Sequence, residues 1–283
     1  MRASLPMYDL PNLRAATDRW WLGVAQAVAR RGFAPVPLGL DRSDPPGSVW
    51  RRRDLVLSQC CGRDLVTHLA GQVAPVAIPS YRAAGCSAGT YRSWLIARRG
   101  DPRRNLDAFV GATAAVNYTG SHSGWVALGH ALACAGLPER FFGRAVCTGG
   151  HRASLQAVAD GSADLAAIDC VSFALLEQAE PAAIAGVRIV AESEPAPALP
   201  YVTAAARPAE ARTRLLEALM DAVSDPSLAT ARGDLLLESF LPIEGDPYAR
   251  SIAMAETAAG HLQALADALA MTASVGDRSS MPA

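Results

Sequence analysis

Hydroxyl groups and glycines are concentrated in a segment that lies between an apolar run and a helical pattern. The segment is 117–124, Asn-Tyr-Thr-Gly-Ser-His-Ser-Gly, and it leads into a helix predicted over 124–135. A helix start presents unpaired N–H groups and a partial positive charge. With the hydroxyls of Ser121 and Ser123, this start can hydrogen-bond the oxygens of an anion. The alternative is that one of these serines only caps the helix.

A second segment of the same kind is 148–155, Thr-Gly-Gly-His-Arg-Ala-Ser-Leu. Its pattern indicates the end of a strand, a tight turn and the start of a helix over 151–160. His151 falls in the first turn of that helix, where the helix dipole disfavours a protonated imidazole. We therefore expect a neutral His151 that can act as a hydrogen-bond donor, with a surface or structural role as the alternative.

A carboxylate follows the next apolar strand, where Asp169 comes directly after residues 165–168. Ligands of open parallel sheets collect outside the carboxyl ends of the strands. Asp169 could therefore accept a hydrogen bond from an ammonium or hydroxyl group of a ligand. Alternatively, it caps the next helix, which is predicted over 172–179.

Short apolar strands alternate with helical patterns through most of the chain, which predicts an α/β fold with parallel strands and right-handed crossovers. The predicted strands are 54–58, 76–79, 94–97, 112–117, 145–148, 166–169 and 187–191. The predicted helices are 11–31, 124–135, 151–160 and 172–179, followed near the C-terminus by 208–224, 226–240 and 246–270.

The composition limits the class of protein. Hydrophobic residues make up 51% of the 283 residues, enough for the core of one large domain or of two lobes. A net charge of -1 argues against a protein that coats nucleic acid. No apolar run approaches the roughly 18 residues of a membrane span. The scattered cysteines and histidines lack CxxC and HExxH spacings, so we expect neither a metal site nor a cofactor.

No charged segment followed by an apolar stretch opens the sequence, so no secretory signal is visible. The chain as written is therefore predicted to be cytoplasmic. It would be periplasmic if a signal had been removed.

In their order and spacing, these segments resemble the substrate-binding proteins of phosphate/phosphonate-type ABC transporters. In that family a Ser-x-Ser-Gly helix start is followed by a Thr-Gly-x-His segment and then by a strand that ends in Asp. Segments 86–97 and 106–111 also look like parts of that family. The resemblance covers about residues 54–204.

The resemblance implies a type II periplasmic-binding-protein fold. In this fold two α/β lobes, with mainly parallel sheets flanked by helices, close on a ligand like a clamshell. Two crossing hinge segments join the lobes. On this basis the first lobe is predicted to contain 1–92 and 198–283, and the second lobe 93–197. Residues 272–283 are expected to form a frayed tail.

The resemblance also implies a set of ligand-binding residues. Ser121, His122 and Ser123 match the family's oxyanion-binding triplet, although His122 stands where threonine is often found. Tyr91 matches an aromatic pocket residue, and His151 matches a histidine that contacts the ligand.

Further candidates have alternatives of their own. Asp169 matches a carboxylate that can meet a ligand amine, which would favour a zwitterionic ligand. Tyr8 and Tyr201 are placed at the cleft by the first strand and the second crossing, with a core position as the alternative for Tyr8. Cys61 and Cys86 fall near the predicted hinge, and whether they form a disulfide is left open.

The predicted function is a solute-binding protein, without catalytic residues, for a small ligand that bears a phosphonate, phosphate, sulfonate or carboxylate group. We expect a monomer with no nucleic-acid partner, and an ABC permease as partner if the chain is exported. The alternative is a cytoplasmic enzyme of the same fold in small-molecule or cofactor metabolism, with His122 and His151 as acid–base groups. A regulatory domain that acts through a partner protein is a third interpretation.

Overall fold

The computed structural model describes residues 1–278, which fall into two compact α/β units. The first unit contains Met1–Tyr91 and Pro197–Ala249. The second unit contains Arg92–Ala196 and resumes at Arg250. The chain therefore passes between the units three times, whereas the sequence predicted two crossings. Residues 250–278, which were predicted in the first lobe, belong to the second unit.

Strands and helices alternate along both units. The strands of the described chain are β1 (Arg2–Ser4), β2 (Leu55–Gln59), β3 (Val73–Tyr81), β4 (Thr90–Tyr91), β5 (Ser93–Arg98), β6 (Thr113–Val116), β7 (Arg144–Cys147), β8 (Leu165–Asp169), β9 (Val187–Glu192), β10 (Ala196–Pro197), β11 (Tyr201–Ala204) and β12 (Leu237–Leu241). Its helices are α1 (Arg14–Arg30), α2 (Pro46–Trp50), α3 (Gly62–Val66), α4 (Ala127–Cys134), α5 (His151–Asp160), α6 (Cys170–Ala179), α7 (Pro181–Ala185), α8 (Ala209–Ser224), α9 (Ala229–Asp234), α10 (Ala249–Thr257) and α11 (Ala259–Arg278). Short 3₁₀ turns lie at Pro11–Leu13, Leu106–Phe109 and Pro226–Leu228, and a π-helical turn lies at His122–Val126.

The sheet of the first unit has the strand order β1-β2-β11-β3-β12. β1 and β2 pair in parallel, whereas β11 runs antiparallel to β2 and β3, and β12 antiparallel to β3. Helices α1 and α8 pack against each other, and the apolar face of α1 buries Trp20, Trp21 and Val24. This spacing of three to four residues is the pattern that predicted the helix from sequence.

Two predictions in the first unit were wrong in extent. The helix predicted over 226–240 ends at Asp234, because Leu236 adopts a φ of 54° and the chain then pairs with β3 as strand β12. The helical periodicity of this segment could not show that it pairs with the edge of strand β3. Strand β3 also continues through Pro79, where the sequence predicted its end.

The second unit has a sheet of order β7-β6-β8-β5-β9. β6 pairs in parallel with β7 and β8, and β5 runs antiparallel to β8 and β9. All of these strands except β5 therefore share one direction. The carboxyl ends of β6, β7 and β8 lie at the same edge of the sheet, where ligands of such sheets bind. The segments that follow these three strands are the ones singled out from the sequence.

Helix α10 from Arg250 onward and helix α11 belong to the second unit, in which α11 packs against α4 and β7. Leu262 lies so close to Gly129 that a Cβ at that glycine would stand 2.7 Å from its side chain. The single helix predicted over 246–270 is two helices that meet at Ala258. The tail predicted over 272–283 is helical through Arg278, and its last five residues lie outside the described part.

An ion-pair cluster holds the turn after β5 in the second unit. Asp101 is buried and accepts hydrogen bonds from the backbone N–H of Arg103 at 2.8 Å and from its Nε at 2.9 Å. The Arg103 guanidinium also pairs with Asp164 and lies 4.2 Å from the centre of the Phe109 ring. The hydrogen bond from Arg103 lowers the pKa of Asp101 to about 2.

We expect Asp101→Asn to lower the free energy of unfolding at pH 7 by about 1–3 kcal/mol, because charge-assisted hydrogen bonds are lost. The wild-type contribution is present above the ordinary pKa of an aspartate and is lost as the pH falls through about 2. Urea unfolding at pH 7 and pH 3 measures both effects, with the exposed Asp107→Asn as control. Equal stability of the two variants at pH 7 would contradict this account.

Candidate functional site

The turn after β6 carries the three residues of the predicted oxyanion triplet. Ser121 caps it, because its Oγ accepts a hydrogen bond from the Gly124 N–H at 3.0 Å. The turn is π-helical, since the Val126 N–H bonds the Ser121 carbonyl at 3.2 Å. Such wide turns are frequent at functional sites. We refer to residues 117–126 as the serine turn.

A close contact fixes the shape of the serine turn. The amide side chain of buried Asn117 covers Gly124, and a Cβ at that glycine would lie 2.0 Å from Asn117 Oδ1. Asn117 Oδ1 is itself held by the Tyr118 N–H at 3.0 Å. A side chain at residue 124 would therefore require the Asn117 amide to move.

The turn after β7 is tied to the end of β6. The Thr148 N–H bonds the Val116 carbonyl at 2.8 Å, and the Gly149 N–H bonds the Asn117 carbonyl at 2.9 Å. Gly149 has a φ of 85°, a conformation that suits glycine. His151 begins α5 directly after this turn. We refer to residues 148–151 as the histidine turn.

The two turns meet through their side chains. Ser123 Oγ lies 2.8 Å from His151 Nε2, and Ser121 Oγ lies 3.5 Å from Ser123 Oγ. Burial lowers the pKa of His151 to about 4, and an interaction with the backbone of Ala167 opposes this shift only in part. His151 is therefore neutral at pH 7. The arrangement is a row of neutral hydroxyl and imidazole groups at the carboxyl edge of the sheet.

The structure places two other predicted residues of the second unit in intramolecular contacts. His122 Nδ1 lies 2.7 Å from Ser251 Oγ on α10. Asp169 caps α6, because its Oδ1 accepts hydrogen bonds from the N–H groups of Val171 at 2.8 Å and Ser172 at 2.9 Å. For Asp169 the capping alternative is thus what the structure shows, and its contact with a ligand amine stays a prediction.

The remaining predicted residues belong to the first unit. Tyr8 and Tyr201 are buried around a cavity of about 20 Å³, which is large enough for one water molecule. Tyr8 packs edge-on against Tyr81 with ring centres 5.3 Å apart. The Tyr201 hydroxyl accepts a hydrogen bond from Trp20 Nε1 at 3.2 Å, and burial raises the pKa of Tyr201. Both tyrosines are part of the packed interior of this unit.

Tyr91 lies on strand β4 as the last residue of the first segment of the first unit, and its side chain is buried. Its role as a pocket residue stays a prediction. All six cysteines lie within the described residues and are thiols, so no disulfide joins Cys61 to Cys86.

The sequence analysis assigned no role to two residues of this arrangement, Asn117 and Ser251. Asn117 stands at the start of the serine turn. Gly124, seven residues later, is the signal that could have indicated that another group approaches the backbone there. Ser251 has no such signal, since it is 129 residues from His122.

Comparison with known protein families decides the identity of the chain. Residues 65–248 match the family described as ABC transporter, phosphonate, periplasmic substrate-binding protein. The chain belongs to this family. The match covers more than half of the sequence and includes both the serine turn and the histidine turn. The resemblance stated from the sequence is therefore confirmed, and the family is one of solute-binding proteins.

Solved structures of low sequence identity share the fold. PhnD1 from Prochlorococcus marinus in complex with methylphosphonate has a TM-score of 0.71 at 13% identity, over 90% of this chain and 97% of that chain. A binding protein component of an ABC phosphonate transporter from Pseudomonas aeruginosa has a TM-score of 0.68 at 16% identity, over 99% of each chain. A Xanthomonas citri protein bound to ATP has a TM-score of 0.63 at 18% identity, over 94% and 98%.

These similarities confirm the predicted type II periplasmic-binding-protein fold. Among curated proteins, none is significantly similar to the chain in sequence. Through Arg278, no helix combines the length and the apolar character that crossing a bilayer requires.

We expect Gly124→Ala to lower the free energy of unfolding by about 1–3 kcal/mol, because the new methyl group overlaps Asn117. Gly150→Ala is the matched control in the histidine turn, where no atom lies within 4 Å of the added Cβ and the backbone is extended. Urea unfolding of both variants tests the contact. Equal stability of the two variants would contradict this prediction, because the Asn117 side chain would then move aside at no measurable cost in free energy.

The pKa of His151 predicts a pH dependence of stability. Its folded pKa of about 4 lies below the ordinary 6.5, so the unfolded chain binds a proton that the folded chain does not. Stability should fall as the pH drops from 6.5 to 4, by at most about 3 kcal/mol from this residue. In His151→Gln the free energy of unfolding should lose this dependence on pH between 6.5 and 4. In the control His68→Gln, whose histidine is exposed, the dependence should be the same as in the wild type. Parallel slopes for the wild type and His151→Gln would contradict the prediction.

Proposed function

We propose that the chain binds a small phosphonate, or a closely related oxyanion, through the serine turn and the histidine turn. The observation that supports this most directly is the 2.8 Å hydrogen bond between Ser123 and His151, which brings the two turns together at the carboxyl edge of one sheet. Family membership and the methylphosphonate held by the Prochlorococcus marinus protein make phosphonate the first ligand to test.

Neutral groups would bind the anion. Ser121 and Ser123 have hydroxyls, His151 is neutral at pH 7, and the helix that continues from the serine turn into α4 adds its partial positive charge. Hydrogen bonds from such groups are stronger when water is excluded, and all three residues of the triplet are already buried. We take the neutral His151 ring to carry its proton on Nε2, so that this N–H donates to Ser123 Oγ and the Ser123 O–H is available to donate to a ligand oxygen.

The finer parts of this function follow from the family. We propose a periplasmic protein that delivers its ligand to an ABC permease and acts as a monomer. An amine on the ligand would meet Asp169, which would favour a zwitterion over a simple oxyanion. Closure of the two units on the ligand, which the resemblance implies, stays a prediction.

Calorimetric titration with methylphosphonate tests the assignment. We expect Ser123→Ala and His151→Ala each to raise the Kd by about 10-fold or more, because a hydrogen bond to a charged ligand is lost. Ser162→Ala is the matched control, since that serine is exposed elsewhere in the same unit. Unchanged affinity in both site variants would remove these turns from the binding site. Methanesulfonate and inorganic phosphate complete the ligand series.

One observation favours the enzyme alternative, because a serine hydroxyl beside a neutral imidazole is also a nucleophile–base geometry. A base with a pKa of about 4 accepts protons poorly at pH 7, so binding without reaction is the better match. Phosphorus NMR of methylphosphonate after long incubation with the protein separates the two. A binding protein returns the compound unchanged, whereas new phosphorus signals would indicate an enzyme.

A further inference from the structure

The His122 side chain makes a hydrogen bond to a residue outside the serine turn and the histidine turn. Its Nδ1 lies 2.7 Å from Ser251 Oγ, and the two residues expose only 3% and 2% of their surface. Ser251 lies in the first turn of α10, one residue after the chain re-enters the second unit at Arg250. A buried imidazole and a buried hydroxyl therefore satisfy each other across two distant parts of the sequence.

A displacement of His122 would disturb both of its serine neighbours in the serine turn. It lies between Ser121, which caps the turn, and Ser123, which contacts His151. The His122 carbonyl also accepts the hydrogen bond of the Ala127 N–H that closes the π-helical turn. Moving the His122 backbone would therefore shift both serine hydroxyls at once.

Ser251, the hydrogen-bond partner of His122, follows a residue that contacts the segment after β9. Arg250, next to Ser251, donates from Nε to the Pro195 carbonyl at 2.7 Å and pairs with Glu194 at 3.6 Å. The neighbouring Ser193 accepts the Ser93 N–H at 2.9 Å through its Oγ. The start of α10 is thus hydrogen-bonded to the segment after β9, and Ser251 contacts His122 directly after this point.

We propose that His122 is a positioning residue, whose hydrogen bond to Ser251 holds the serine turn in the geometry that binds the anion. The ring itself does not contact the ligand. The resemblance predicted His122 as one of three oxyanion-binding residues. On the present proposal, residue 122 belongs to the binding turn, but its side chain positions the turn and does not bind the oxyanion. The affinity part of this proposal rests on the function proposed above.

The test combines Ser251→Ala, His122→Ala and the double variant, with Thr257→Ala as an exposed control on the same helix. Calorimetry with methylphosphonate should show a Kd raised about 5–10-fold by each single variant and no further by the double variant, because both remove one interaction. His122→Asn, which keeps a polar atom near the position of Nδ1, should stay within about twofold of the wild type.

Hydrogen–deuterium exchange of the ligand-free proteins gives a second readout. Amides of the serine turn should exchange faster in Ser251→Ala than in the wild type or Thr257→Ala. Unchanged exchange and an unchanged Kd in Ser251→Ala would overturn the proposal, as would a loss of affinity confined to His122→Ala. If the wild type binds no methylphosphonate, the proposed function fails, while the exchange measurement still decides whether Ser251 holds the turn.

Discussion

The hydrogen bond between Ser123 and His151 connects two strand-to-helix turns that are 28 residues apart in sequence. It can form because β6 and β7 are neighbouring parallel strands, whose carboxyl ends lie side by side. It also requires a serine turn whose path is set by Asn117 lying over Gly124, and a histidine turn that reverses at Gly149. Both glycines therefore help to set the path of the two turns.

Burial determines what this pair of groups can do. Removal from water lowers the pKa of His151 and keeps the ring neutral at pH 7, so this ring would meet an anion as a dipole and not as a full positive charge. Neutral groups carry a smaller desolvation cost than a buried cation while the site is empty. The same burial makes each hydrogen bond in the row costly to leave unsatisfied, which is why small displacements of the serine turn should matter.

The sequence predicted the second unit better than the first. Its strands alternate regularly with helices, and both turns were recognised from hydroxyl, glycine and histidine residues directly after apolar strands. Strand β12 was missed because its residues continue a helical pattern, and only the open edge of β3 makes them a strand. Ser251 was missed because contacts between distant segments leave no local signal. Tyr8 and Tyr201 are buried in the first unit, where Tyr201 accepts a hydrogen bond from Trp20, and their contact with a ligand stays a prediction.

A crystal structure of the protein grown with methylphosphonate tests the central claim most directly. The account predicts that phosphonate oxygens lie within hydrogen-bond distance of Ser123 Oγ and His151 Nε2, with the His122 ring still bonded to Ser251. A phosphonate bound elsewhere, with the Ser123–His151 hydrogen bond intact and no ligand beside it, would contradict the account.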